Sequence, residues 1–234
     1  DLVIKAIECG KNVFVEKPLA LTFKELKNIQ SAIALQPSSI LMVGFNRRFS
    51  PHIIKMKTLL DARKQPKSFI FTINAGFIPA DHWVQDLKEG GGRIIGEVCH
   101  FIDLMCFLSG SPINEWSVQS MDDGTLKDKV TINLIFKDGS LGSIHYLANG
   151  SKRFPKERVE VFCGGSIIQL DNFRKMKGYG WAGFNKMNLW RQDKGHKLEI
   201  QTFLDSVRFG KQSPISINEL IEETRITIEI ANSL

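Results

Sequence analysis

Three stretches of the sequence carry side chains able to do chemistry at close quarters. Glu16-Lys17-Pro18 directly follows the short apolar run of residues 12–15, "NVFV". Pro18 fixes its own φ and biases Lys17 away from the α region, so an ammonium group is held extended where a strand runs out. Open α/β sheets bind ligands at that end of their parallel strands. A lysine partly desolvated in such a crevice can serve as general acid and base near neutral pH, with Glu16 orienting it or a cofactor amide. A turn lysine facing solvent is the plainer alternative.

Residues 89–103, "EGGGRIIGEVCHFID", come next. Three consecutive glycines let the backbone turn sharply or approach a ligand closely. In the helix that follows, Glu97, His100 and Asp103 fall at three-residue spacing and share a side. His100, among Cys99, Phe101 and Ile102, is either a core histidine bonded to Asp103 or a carbonyl, or an imidazole lining a pocket beside a carboxylate. Glu97, Cys99 and His100 do not fall at metal-ligand spacing, so no metal is expected. The third stretch, Asn46-Arg47-Arg48-Phe49, follows a second apolar run. Arg47 can grip a carboxylate or phosphate bidentately, or pair structurally. Trp83, after His82, can stack on a sugar or nicotinamide edge, or simply pack.

The elements that must position these residues differ along the chain. Residues 2–9 have helical spacing ending at Gly10, which suits a left-handed C′ position. Thr22 and Glu25 form a capping-box pattern opening a helix over 23–34. Residues 40–45, "ILMVGF", read as a strand covered on both faces. Residues 1–45 are therefore α-β-α-β, the end of a doubly wound sheet, and two parallel strands do not make a sheet with its own core. From residue 46 onward the architecture changes. A helix over 52–63 leads to an alternating strand over 67–76, then an apolar helix over 93–110 closed by Gly110. Five further runs (115–121, 129–136, 140–148, 157–163, 166–171) read as an antiparallel meander of five or six strands. Asp138-Gly139 and Gly164-Gly165 supply hairpin turns. Helices over 196–210 and 217–234 follow. Lys194-Gly195-His196 reads as a surface turn. The expected fold class is mixed α/β and α+β: residual doubly wound strands and helices over 1–45, then an open-faced, mainly antiparallel sheet packed on helices over 46–234.

Composition narrows the classes. The chain has 234 residues, 43% of them hydrophobic, with a net charge of +6. Its basic residues are scattered and accompany no nucleic-acid motif, so no nucleic-acid partner is expected. No apolar run reaches 18 residues, so no membrane partner is expected either. Four dispersed cysteines with no CxxC spacing read as free thiols of a cytoplasmic protein. The start at Asp1, without Met, reads as a cut from a longer protein.

The stretches "AIECGKNVFVEKPLALT", "MVGFNRRFSP", "EGGGRIIGEVCHFIDLMCFLSGSP" and "SPISINELIEETRITIEIANSL" span the chain in order. Together they resemble the glucose-fructose oxidoreductase / inositol dehydrogenase / MocA family. "GEVCHFIDL" and "FPKERVEVFCGG" are closest to members in bacterial surface-polysaccharide or sugar-nucleotide pathways. The resemblance implies NAD or NADP as cofactor, with the pyrophosphate-binding loop expected upstream of Asp1. It implies a small sugar, sugar nucleotide or polyol as substrate, and a homodimer or homotetramer joined through the sheet face. Lys17 then matches the family's catalytic lysine, Glu16 and Pro18 its neighbours near the nicotinamide, and His100 its catalytic or substrate-binding histidine. Glu97, Arg47 and Trp83 are the substrate-side candidates. The family places Asp four residues before that histidine. Here that position is Gly96, and Glu97 stands about 100° further round the helix. Two other outcomes are compatible with the likeness: an NAD-dependent glycosidase-type hydrolase, or a non-catalytic dimerisation or sensing relative.

Overall fold

Gly10 ends the first helix, α1 (Leu2–Glu8), at φ +66°. The computed structural model describes residues 1–86, 89–122 and 126–234. Strand β1 (Val13–Val15) pairs in parallel with β2 (Leu41–Val43), and α2 (Phe23–Leu35) connects them. The Thr22 side chain accepts from Glu25 N, and the Glu25 carboxylate accepts from Thr22 N, so the capping box forms as its spacing predicts. β2 is buried throughout, whereas β1 is half-buried rather than covered on both sides.

The two-stranded sheet sits on a core that it shares with α1, α2 and later elements of the chain. Met42, Val43 and Phe45 pack with Ile95 and Cys99 and with Leu220 and Ile228 near the end of the chain. Burial of each such side chain contributes roughly 1.5–3 kcal/mol. A 3-10 turn over Asn46–Phe49 then leads into α3 (Pro51–Asp61), with Pro51 in its first turn.

The second sheet has eight strands, Ser68–Asn74 and seven more where the sequence predicts a meander of five or six, and it is not a simple meander. It comprises β3 (Ser68–Asn74), β4 (Ile113–Ser120), β5 (Val130–Phe136), β6 (Leu141–Leu147), β7 (Glu157–Cys163), β8 (Ser166–Asp171), β9 (Lys175–Tyr179) and β10 (Lys186–Asn188), in the spatial order β10-β9-β8-β7-β3-β6-β5-β4. β3 is inserted between β6 and β7, parallel to the first and antiparallel to the second. The Asp138-Gly139 and Gly164-Gly165 turns close the β5–β6 and β7–β8 hairpins as predicted.

Alternation decides the faces. Phe69, Phe71 and Ile73 of β3 point to the buried side, and Ile70 points outward. The buried side packs on α3, on α4 (Cys99–Ser109) and on α6 (Ile217–Asn232). Gly142 in β6 permits this approach, since a side chain there would strike Met105 of α4. The outer face, with Ile135 beside Leu141 in register, is left open. The remaining helix, α5 (His196–Arg208), leans on the small sheet, where Phe203 meets Phe14 at 5.6 Å. No helix of the described residues is long and apolar enough to cross a membrane.

Candidate active site

The carboxyl end of β1 delivers Lys17 to the point where the small sheet meets the triple glycine. Its ammonium donates to the Gly96 carbonyl at 2.6 Å. That carbonyl is presented by a single π turn over Ile94–Val98, directly before α4. π turns interrupt the regular hydrogen-bond ladder and recur at functional sites. Gly90 packs so tightly on the Trp83–Gln85 turn that a Cβ would lie 2.6 Å from the Trp83 carbonyl. The glycines thus fold the loop onto itself and leave a hollow between it and β1.

The hollow is a cavity of about 440 Å³ lined in part by Lys17, His100 and Gly96. Arg47, Glu97 and Trp83 border it as well, and so does Pro18. Six of the seven side chains singled out from sequence therefore face one space. Glu16 is the exception. It is exposed and turned to β2, where its carboxylate lies 3.0 Å from where Gly44 would carry a Cβ.

Each neighbour constrains what its side chain can do. His100 is buried, meets Phe45 edge-on at 6.0 Å, and its Nδ1 has no hydrogen-bond partner among the described residues. It is not bonded to Asp103, whose Oδ1 is taken by Arg48 at 2.7 Å. Burial first, then Arg47, Lys17 and Lys194, push its pKa well below the usual imidazole range, so the ring is neutral. Glu97 is held by Arg93 at 3.0 Å. The Arg47 fork closes on Glu157, Nε to Oε2 at 3.0 Å and Nη2 to Oε1 at 2.9 Å, while its guanidinium stacks over Phe101. Trp83 is 62% exposed at the rim.

Sequence reading missed three residues here. Lys194 is not a surface residue. It is half-buried and donates to Glu157 Oε1 at 2.6 Å. Glu157 is 1% exposed; burial raises its pKa, but Arg47 and Lys194 together hold it below the ordinary carboxylate range. Lys156 stands at the cavity mouth. Only the odd presence of a charged residue at a core-facing strand position, Glu157, could have flagged this cluster in advance.

A larger cavity of about 630 Å³ lies beyond Phe107 and Lys137, near Glu222, and holds none of the sequence candidates. Among the described residues no group of three metal-ligating side chains forms.

Residues 178–183, "GYGWAG", do spell the GxGxxG string expected only upstream. They turn β9 into β10, with Trp181 bonded to the Ile167 carbonyl, and no helix N-terminus follows to receive a phosphate. That segment does not fit a dinucleotide pyrophosphate. The ends of β1 and β2 do fit the nicotinamide half, with Lys17 and Pro18 facing the cavity and Gly44 admitting the Glu16 carboxylate beside them.

A parallel strand pair ending in Glu-Lys-Pro, with its lysine and a neutral histidine sharing a cavity under an open sheet, is the architecture of a two-part nicotinamide oxidoreductase. Comparison with known proteins agrees. Residues 1–45 match the model described as "Oxidoreductase family, NAD-binding Rossmann fold", and residues 56–168 match the "GFO/IDH/MocA C-terminal domain". The chain is 36% identical to scyllo-inositol 2-dehydrogenase (NAD(+)) of Bacillus subtilis, over 100% of this chain and 71% of that protein. It is 41% identical to inositol 2-dehydrogenase/D-chiro-inositol 3-dehydrogenase of Halalkalibacterium halodurans, over 88% of this chain and 60% of that one. A solved oxidoreductase domain protein from Kribbella flavida superposes with a TM-score of 0.86 at 21% identity, covering 99% and 74% of the two chains. The chain belongs to the Gfo/Idh/MocA family of NAD(P)-dependent oxidoreductases.

Proposed function

We propose that this protein oxidises a secondary alcohol of a sugar, sugar nucleotide or polyol, or reduces the matching ketone, with Lys17 as general acid and base. The observation that carries the reading is that Lys17 and His100 line one cavity at the carboxyl end of β1, with Lys17 anchored on Gly96. A nicotinamide bound against Glu16, Lys17 and Pro18 supplies the hydride chemistry. Lys17 takes the proton from the substrate hydroxyl as its carbon becomes a carbonyl, and returns it in reduction. The Gly96 carbonyl fixes the direction of the ammonium in place of a carboxylate. His100, kept neutral, bonds the same hydroxyl or its neighbour without competing for charge. Trp83 offers a ring face to the sugar, and Glu97 and Arg47 bound the cavity behind it.

The inositol dehydrogenase names of the relatives support a cyclic polyol or sugar, and the NAD(+) in one of them supports NAD over NADP. The matches at 1–45 and 56–168 support a division near residue 45, bridged by α6. The open sheet face, where Ile70, Ile135, Leu141 and Phe162 are exposed, is the surface for a homodimer or homotetramer. Four unpaired cysteines suit a cytoplasmic setting, and the likeness of "GEVCHFIDL" and "FPKERVEVFCGG" to members in surface-polysaccharide pathways supports a role there. The test is nicotinamide absorbance during incubation of the full-length protein with a panel of inositols, sugars and sugar nucleotides. Turnover that leaves NAD unconsumed would instead indicate the hydrolase alternative, and no turnover by any of them the non-catalytic one.

A further inference from the structure

Charges around the cavity do not cancel. Arg47 and the half-buried Lys194 share the single buried carboxylate of Glu157, so this trio keeps one positive charge in surplus. Glu97 offers no relief, because Arg93 claims it and also reaches Asp128. The Lys17 ammonium meets only a carbonyl. Lys156, exposed at the mouth, forms no ion pair with any described residue, and it leads back along the same loop to Arg153 and Lys152, which are also exposed. Against these stands Glu89, on the opposite rim. Cations therefore outnumber anions around the cavity: Arg47, backed by Glu157 and Lys194, forms its floor, and Lys156 stands at its lip opposite Glu89. In a concave, low-dielectric space such a field concentrates anions. A neutral polyol has nothing to balance it.

We infer that the alcohol taken by this cavity carries a fixed negative charge, a carboxylate or a phosphate, met by Lys156 at the mouth above the Arg47–Glu157–Lys194 floor. This rests on the oxidoreductase reading and narrows its substrate to anionic sugars. Lys156 receives the anion, and the surplus of the trio holds it without a new desolvation of paired charge.

Calorimetry on the full-length protein with its nicotinamide cofactor tests the inference, using myo-inositol, glucuronate and glucose 6-phosphate as probes. At low salt, one of the two anions should bind at least about 10-fold more tightly than myo-inositol, and which one does so identifies the charged group. That preference should shrink toward parity in 0.5 M NaCl, as exposed ion pairing does, and in Lys156→Gln. Inositol binding as tight as the tighter of the two anions, failure of both anions to bind, or a preference untouched in Lys156→Gln would each overturn it. Should inositol be turned over while the anions do not bind, the anion inference falls and the dehydrogenase reading stands. Anion binding without turnover of any alcohol gives the reverse.

Discussion

Arg47 and Arg48 are neighbours in one 3-10 turn, both buried, yet they anchor clusters of opposite charge balance. Arg47 shares one carboxylate with a second cation, Lys194, and borders the cavity. Arg48 is alone among three acids: Asp103 at 2.7 Å, Glu223 at 3.0 Å and Glu219 at 3.5 Å. Burial and the adjacent Asp103 push the Glu223 pKa well up, which mutes the acidic surplus. The Arg48 cluster is closed, tying the turn to α4 and α6. The Arg47 cluster is open-ended, with its surplus left for whatever enters. Two identical side chains one residue apart thus stand in a closed structural cluster and at the edge of the proposed site, and what separates them is the company each side chain keeps.

Four experiments break or sharpen that contrast. On the open side, Lys17→Ala should lower kcat by ~10²–10⁴-fold, the usual contribution of a positioned acid-base group. Its thermal unfolding should stay near wild type, and near-normal turnover would remove Lys17 from the chemistry. On the closed side, Arg48→Met should cost about 3–5 kcal/mol in denaturant unfolding, because it strands Asp103 in the core. A loss below 1 kcal/mol would show that the two arginines are not so different.

Glu199 tests whether carboxyls with raised pKa are confined to the Arg48 side. This residue of α5 is 3% exposed with Oε1 unpartnered, and burial followed by Glu16 and Asp103 pushes its pKa up to about 8. The folded protein then holds a proton that the unfolded chain releases above its ordinary 4.5, so stability falls as pH climbs from 4.5 to about 8. Glu199→Gln should raise Tm by a few degrees at pH 8, at ~2–4 °C per kcal/mol, and by less at pH 5. An equal gain at both pH values would mean that Glu199 is already ionised.

The smallest effect concerns Gly96. Installing a carboxylate beside Lys17 with Gly96→Asp favours the ammonium, so the pH dependence of alcohol oxidation should move upward by about one unit. Gly96→Ala controls for the Gly90 carbonyl, which a Cβ would meet at 3.2 Å. No movement in Gly96→Asp relative to that control would show that the lysine does not sense position 96.

What the sequence revealed of all this was local. The Thr22–Glu25 box, the glycines after α1 and α4, and both hairpin turns act over a handful of residues, and they form where their spacing puts them. Lys17 and His100 were singled out by residue type and by likeness to the family. Non-local pairings stayed hidden. Nothing in residues 68–74 announces that they will enter a sheet built from residues 113–188. Strands β9 and β10 are lysine-rich and too short to alternate visibly. Glu157 and Arg47 lie 110 positions apart, so neither could be assigned the other as a partner. The π turn that presents the Gly96 carbonyl has no side-chain signature.

The placement of β3 carries a mechanical consequence. Hairpins β5–β6 and β7–β8 each close over a few residues, but β6 and β7 touch across the sheet only by gripping the same strand from opposite edges. β3 is a keystone laid down before either flank exists, and the sheet behaves as two prefabricated leaves hinged on one spine. A proline at Phe71 would part the leaves while leaving each hairpin intact.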